Sequence, residues 1–182
     1  MYKRQVHART EGLIDPKPAE LFFGRYLFFF VISQIQSIVI VSGDLYLLKV
    51  QCLHPGMMYL TGALTAFTFS LLIYSLAISF GDVGKALVVV IMVIQVAGSG
   101  GSYPVDVLPQ LFRSLYPFMP FHYGMDMIRE TVGGMYGSTY LRCALVLLGM
   151  CVLFTVLGLL LYYPARRLNA AIAASKERSG IM

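Results

Sequence analysis

Residues 81–134 read GDVGKALVVVIMVIQVAGSGGSYPVDVLPQLFRSLYPFMPFHYGMDMIRETVGG. The stretch opens with an apolar segment, reaches a run of glycines and is then broken repeatedly by proline. A helix from Gly84 to Gly98 rises only about 21 Å at 1.5 Å per residue, whereas the hydrocarbon core of a bilayer is about 30 Å thick. The remainder is too apolar for a solvated loop and too broken for one span. Such backbone is tolerated at membrane depth where it packs on protein or lines a polar cavity.

The prolines and glycines divide the rest of this stretch into two short helices. Pro109 suits the first turn of one helix and Pro117 ends it. Pro120 opens a second helix, which ends at Gly133-Gly134. The sequence therefore predicts a region over 102–134 whose two short helices dip into the outer leaflet or lie on it.

Three longer apolar runs flank the short one. Of the 182 residues, 58% are hydrophobic and 13% charged, with a mean hydropathy of +0.73, against about 45–50% and 25% in soluble domains. A span needs about 20 apolar residues. We therefore expect an all-α polytopic membrane bundle with about four transmembrane helices, over 24–48, 57–80, 84–98 and 140–163. This predicts a membrane domain over 22–164, a cytoplasmic N-terminal segment over 1–21 and a basic cytoplasmic tail over 165–182.

The distribution of basic residues predicts the orientation. Ten of the fourteen Lys and Arg residues lie in the N-terminal segment, at the start of the first helix, in the 81–85 turn or in the C-terminal tail. The other four lie on the opposite side: Lys49, Arg113, Arg129 and Arg142. By the positive-inside rule, both termini are expected in the cytoplasm. The net charge of +5 is explained by this orientation, so we expect no nucleic-acid partner.

Polar residues inside the predicted spans form the candidate site. On the first helix, Ser37 and Asp44 share one arc and Gln36 lies on its flank. Polar groups facing lipid are costly, so this arc should face another helix or a wet cavity. Interhelical packing and a substrate path both remain open. Hydroxyls from Thr61 to Ser79 form a stripe on the second helix, for which packing is favoured over transport.

The end of the third helix carries the sharper signal. Gln95 is followed by a small-residue run in which glycine permits close backbone approach where the helix unwinds. A simple turn is the alternative. On the last short helix, the spacing of Asp126, Arg129 and Glu130 allows a surface network of charges, and an outer gate contact is the alternative. The candidate pathway and gating residues are Gln36, Ser37, Asp44, Gln95, Gly98, Ser99, Gly100, Gly101, Arg129 and Glu130.

Catalytic, metal and cofactor motifs are not found in this sequence. No HExxH, CxxC or GxSxG occurs, and GDVGK at 81–85 lacks the spacing of a phosphate-binding loop. The lone histidines, His7, His54 and His122, have no metal-ligand spacing. We therefore expect no enzyme, no catalytic residue, no metal site and no cofactor.

The chain resembles the YhgE/Pip (phage infection protein) family from about Phe22 to Pro164. The specific block is Gly81–Gly137, with its GKA turn, Q-x-AGSGG-x-[YF]P, LP-x-x-F-x-x-x-YPF-x-PF and RE-x-x-GG-x-YG. That family's membrane part is similar to ABC-2 type permeases, in which a late helix precedes two short re-entrant helices and a final span. The resemblance implies a permease subunit for export in the bacterial plasma membrane, working by alternating access. It also implies a separate ATP-binding subunit.

Full-length members of the family have further membrane and extracellular regions before the segment that matches here. We therefore expect a C-terminal fragment of a longer protein, embedded in the lipid bilayer as a homodimer or paired with the missing N-terminal portion. The alternative function is a membrane anchor or scaffold for a surface protein associated with phage reception or type VII secretion. Replacing Gln36, Gln95 and Asp44 by apolar residues should abolish transport but leave an anchor active.

Overall fold

The computed structural model describes the backbone of residues 18–100 and 105–178, and the side chains of 20–81, 83–100 and 106–161. Within these ranges all regular elements are helical. The five α-helices are α1 (Pro18–Ser42), α2 (Pro55–Gly98), α3 (Gln110–Leu115), α4 (Pro120–Gly133) and α5 (Thr139–Arg178). A π-helical turn, Gly43–Leu47, extends α1, and 3₁₀ turns occupy Val105–Val107 and Tyr116–Phe118.

Helix α2 is folded back on itself at Gly81. This residue has φ 59° and ψ −126°, a conformation that is open to glycine and strained for other residues. The helix therefore has a first arm, Pro55–Gly81, and a shorter second arm, Val83–Gly98. Close packing at the fold needs a second glycine, because a Cβ on Gly84 would collide with the carbonyl oxygen of Leu76.

Polar contacts show that α1 runs antiparallel to the first arm of α2. Near the start of α1, the Tyr26 and Ser70 hydroxyl oxygens lie 2.7 Å apart. Near its end, those of Ser42 and Tyr59 lie 2.8 Å apart. Residue numbers thus rise along α1 as they fall along α2. We call the end of the bundle that contains Gly81 the turn end, and the end where α1 connects to α2 the loop end.

Helix α5 runs parallel to the first arm. The Thr61 and Tyr140 hydroxyl oxygens lie 3.1 Å apart at the loop end. Further along both helices, the Ser75 hydroxyl donates to the carbonyl of Phe154 at 2.9 Å. The hydroxyl stripe expected from Thr61 to Ser79 lies on the first arm of α2. Its hydroxyls therefore form contacts between helices, as in other membrane bundles.

Two apolar clusters lie along α2. Near the turn end, α1, α2 and α5 meet in a cluster of Phe22, Tyr26, Leu71, Tyr74 and Cys151. Nearer the loop end, α4 and α5 form a cluster of Met127, Tyr140, Cys143 and Leu147. Helix α2 is therefore the element on which the other long helices pack.

Among the residues that the structure describes, three helical segments are long and apolar enough to cross a membrane: Glu20–Leu47, Pro55–Gly81 and Thr139–Leu161. The second arm of α2 is a shorter apolar helix, as expected from the sequence. Most large side chains facing out of the bundle are apolar. These features confirm the expected all-α membrane bundle. Two helices extend well beyond their expected bounds: α1 begins at Pro18, with Glu20 in its first turn, and α5 continues to Arg178.

Candidate functional site

Helix α4 lies deep beside the first arm of α2. At the loop end, the backbone N–H of His54 donates to the carbonyl of Thr131 at 3.2 Å. At the other end of α4, the rings of Phe121 and Phe69 are 6.0 Å apart. At 1.5 Å per residue, Phe69 lies about 21 Å along α2 from Pro55. Helix α4 therefore begins far inside the bundle and rises to its loop end.

Local sequence explains both ends of α4 and its close approach to α2. Pro120 occupies the first helical turn, after an extended Met119. Gly134 follows the helix with φ 104°, a value that glycine adopts without strain. Between these ends, a Cβ on Gly124 would lie 3.0 Å from the Thr65 hydroxyl oxygen. Glycine at 124 thus lets α4 pack directly on the α2 backbone.

The second arm of α2 ends against α3 and α4. A Cβ on Gly98 would lie 2.9 Å from the Phe112 ring and 3.2 Å from the Met119 methyl carbon. Ser99 is buried, and its hydroxyl donates to the carbonyl of Val96 at 3.1 Å. Gly100 has φ 73°, whereas the candidate residue Gly101 lies outside the described residues. Glycine and serine here allow the helix end to sit inside the protein.

Arg129 of α4 joins this helix end to α4. Its guanidinium donates to the carbonyl of Gly100 at 3.1 Å and to Asp126 Oδ1, also at 3.1 Å. A cation beside the last carbonyls of a helix interacts favourably with its dipole. The side chain of Arg129 is 54% exposed, and exposed contacts of this kind contribute only about 0–1 kcal/mol.

Glu130 has a different contact from the one expected. Its Oε2 accepts from the backbone N–H of Tyr136 at 2.7 Å, and its carbonyl accepts from the N–H of Gly134 at 3.0 Å. The structure thus brings Asp126 and Arg129 together, while Glu130 holds the turn after α4.

Gln95 is the amide side chain of the second arm, and it is deeply buried. Its side chain is 3% exposed, and Oε1 has no hydrogen-bond partner among the described residues. A buried polar atom without a partner costs about 1–3 kcal/mol, so such atoms are rare in folded proteins. Gln95 lies one helical turn from Gly98 on the same face. Its amide therefore lies about one helical turn closer to the turn end than the contact between the second arm and the start of α4.

His122 belongs to this region, although its sequence spacing did not single it out. The imidazole stacks on the ring of Tyr116 at a centroid distance of 4.0 Å and contacts the Tyr123 ring at 3.7 Å. Burial lowers the pKa of His122, with nearby Asp126 acting in the opposite direction. The available sequence signal was the four-residue spacing of His122 and Asp126, which places both on one helix face.

The three candidate residues on α1 lie in a different part of the bundle. Ser37 is buried where α1 crosses α2, and a Cβ on Gly62 would lie 2.7 Å from its hydroxyl oxygen. Gln36, the preceding residue, is exposed. Asp44 is half-buried in the π-helical turn at the loop end. Since the hydrogen bonds from α1 reach Tyr59, Ala63 and Ser70 on the first arm of α2, these residues are separate from the group around Gln95 and Arg129.

Comparison with known proteins identifies the family of this chain. The sequence profile described as ABC-2 family transporter protein matches residues 14–160. The uncharacterized protein YhgE of Bacillus subtilis (strain 168) is 25% identical over 141 residues, which are 77% of this chain and 18% of that protein. The chain thus spans about a fifth of the length of this curated relative. No solved structure matches the chain significantly. Because the profile covers most of its length, the chain belongs to the ABC-2 family of transporter proteins.

Proposed function

We propose that this chain is the membrane-embedded permease part of an ABC-2 type exporter, coupled to ATP hydrolysis by a separate ATP-binding subunit. Family membership supports a permease-like membrane component, and members of this family generally work with such a subunit. The observation that carries the proposal is the position of α4. A short helix that enters the bundle to the level of Phe69 and ends at the loop end is suited to closing one side of a path.

The turn end faces the cytoplasm in this proposal. The N-terminal segment, Lys85 at the start of the second arm and the basic C-terminal tail would all lie on that side, following the positive-inside rule. The loop end, with Arg113, Arg129 and Arg142, would face outward. The chain is then a multi-pass protein of the bacterial plasma membrane with both termini in the cytoplasm.

Alternating access would use the contact between Arg129 and Gly100 as the outer gate. With the contact closed, the second arm and α4 are held together on the loop-end side of Gln95. When the contact opens, α4 can separate from the second arm, and Gln95 presents its amide to the polar part of a substrate. A buried amide without a protein partner is suited to this exchange, because a ligand or water can supply the missing hydrogen bond.

The same chain acts as one part of a larger assembly. It pairs with a second copy or with the portion of a longer protein that precedes it. The small share of the curated relative that it spans, 18%, also favours a second candidate function, that of a membrane anchor for such a protein. An anchor requires the bundle to be stable but does not require it to move with the nucleotide state.

Nucleotide-dependent labelling at the gate separates the two functions. We would introduce Ser99→Cys into a Cys52→Ser background and use right-side-out vesicles of the native host. Ser99 is buried beneath the gate. The two remaining native cysteines, Cys143 and Cys151, are also buried. Labelling by a membrane-impermeant maleimide would be followed after loading the vesicles with ATP and vanadate, or with buffer.

The proposal expects the labelling rate at position 99 to change with nucleotide. A cysteine at Val107, which is exposed in the structure, should label at the same rate in both conditions. Equal rates at position 99 with and without nucleotide, in vesicles that still contain the ATP-binding subunit, would show that the bundle is an anchor.

A further inference from the structure

One flank of α1 carries an amide that faces out of the bundle near the middle of the span. Gln36 is exposed, and no hydrogen bond to its side chain is present within the described part of the chain. At 1.5 Å per residue, it lies about 24 Å from Glu20 and about 16 Å from Leu47, the ends of the apolar segment. An amide in contact with hydrocarbon is unfavourable, and such groups commonly bond across helix interfaces.

The residues around Gln36 have the spacing of a helix-pairing seam. Alternating steps of three and four residues connect five positions on this flank: Phe29, Ile32, Gln36, Val39 and Gly43. These steps correspond to positions a and d of a heptad, with Gln36 at an a position. The four residues from Phe29 to Val39 are exposed, and a Cβ on Gly43 would meet nothing within 4 Å. This set of five residues is called the α1 seam.

A second copy of the chain is the partner whose chemistry matches the α1 seam. Two copies inserted in the same orientation place their α1 helices parallel, so equivalent layers face each other across a two-fold axis. A glutamine side chain has both donors and an acceptor. Two Gln36 amides at the axis can therefore satisfy each other. The outward positions of α5 at the same depth, such as Leu148 and Val152, are apolar and offer no such partner.

We infer that two copies associate through the α1 seam, with their Gln36 amides hydrogen-bonded across the two-fold axis. The inference rests on the proposed function only in requiring that both copies cross the membrane in the same direction. The polar layer fixes the register of the pair, as a single polar a-position residue does in coiled coils. It also identifies which flank of α1 faces the partner, since the opposite flank is exposed but apolar.

Disulfide cross-linking of the full chain in membranes tests the geometry. Single cysteines would replace Ile32 or Val39 on the seam, in the Cys52→Ser background, with Ile38→Cys as the control. Ile38 is 55% exposed and Val39 64%, but Ile38 lies on the other flank. After oxidation with copper phenanthroline, we expect a covalent dimer for the two seam variants and only background for Ile38→Cys. Equal cross-linking at all three positions, or none at the seam, would overturn the inference.

The amide pair is tested separately by Gln36→Leu and Gln36→Asn. Interhelical polar contacts in membranes contribute enough to change association about 3- to 30-fold. Gln36→Leu should therefore lower the dimer association constant by that factor in detergent titrations, while Gln36→Asn should retain more of it. An unchanged constant for Gln36→Leu would refute the pair.

Because Gln36 contacts no other described helix through a hydrogen bond, both variants should fold normally, which thermal unfolding would verify. These results do not depend on transport. A seam dimer without nucleotide-dependent labelling at position 99 would retain this inference and reject the permease function.

Discussion

Replacing Gly158 by alanine tests the packing that joins the three long helices. A Cβ at this position would lie 2.7 Å from the Ser75 hydroxyl oxygen and 3.0 Å from two atoms of the Phe22 ring. Neither neighbour is free to move. The Phe22 side chain is 0% exposed and packs edge-on against Tyr74, whereas the Ser75 hydroxyl is engaged with the carbonyl of Phe154.

The free energy of unfolding should fall because the steric terms exceed the gain in helix propensity. Overpacking a full core costs about 1–3 kcal/mol, and loss of the Ser75 hydrogen bond about 0.5–1.5 kcal/mol. Alanine is better than glycine in a helix by about 1 kcal/mol. The net change for Gly158→Ala is therefore a loss of about 2 kcal/mol, or about 4–8 °C in the unfolding midpoint for a chain of this size.

The assay follows exposure of the buried thiols on heating in detergent. All variants carry Cys52→Ser, because Cys52 is half-buried whereas Cys143 and Cys151 are buried. A thiol-reactive dye then reports unfolding directly. Gly149→Ala is the matched control: it lies on the same helix, and a Cβ there would meet nothing within 4 Å. This variant should be neutral or slightly more stable. Adding Ser75→Ala to Gly158→Ala removes the obstructing oxygen and should restore part of the loss.

The reasoning would be refuted if both glycine variants had the same midpoint. It would also fail if the Ser75→Ala and Gly158→Ala effects were simply additive, because residues in steric contact should be coupled.

Three further predictions concern the fold-back of α2, the gate and pH. Gly81→Ala should lower the free energy of unfolding by about 1–3 kcal/mol, since φ 59° with ψ −126° strains any other residue. An unchanged midpoint of thermal unfolding would show that position 81 does not require this backbone conformation. Arg129→Gln should speed maleimide labelling of Ser99→Cys by about two- to five-fold, as expected for a surface contact of about 0.5–1 kcal/mol, whereas Arg142→Gln should not. Because burial lowers the pKa of His122 in the folded chain, its contribution to stability is complete above the ordinary value of 6.5 and is lost as pH falls through the lowered pKa. Replacing His122 by glutamine should remove that part of the dependence of the midpoint on pH, and an identical pH profile would refute it.

Several features of this protein follow from the sequence because they are properties of the local chain. The apolar runs predict membrane helices, since their length and composition suit lipid. The breaks at Gly81, Pro109, Pro120 and Gly134 follow from backbone geometry, and helices of the structure bend, begin or end at these residues. The short second arm of α2 was also predictable, because a helix rises by a constant distance per residue.

The directions in which side chains face were decided only by the tertiary structure. Ser37 and Gln36 are neighbours in the sequence, yet one is buried against Gly62 and the other faces out of the bundle. Helical periodicity gives the angle between them but not the location of α2. Likewise, the spacing of Asp126, Arg129 and Glu130 allowed several pairings, and the Gly100 carbonyl and the Tyr136 amide selected among them.

The depth of α4 in the bundle was also decided only by the tertiary structure. Its sequence predicts where the helix starts and ends, but Gly124 reaches Thr65 only because α2 and α5 leave room for it beside the first arm. A short helix has no length constraint that fixes its level in a membrane. Its position is therefore set by contacts between segments distant in the sequence, which become visible only in the folded chain.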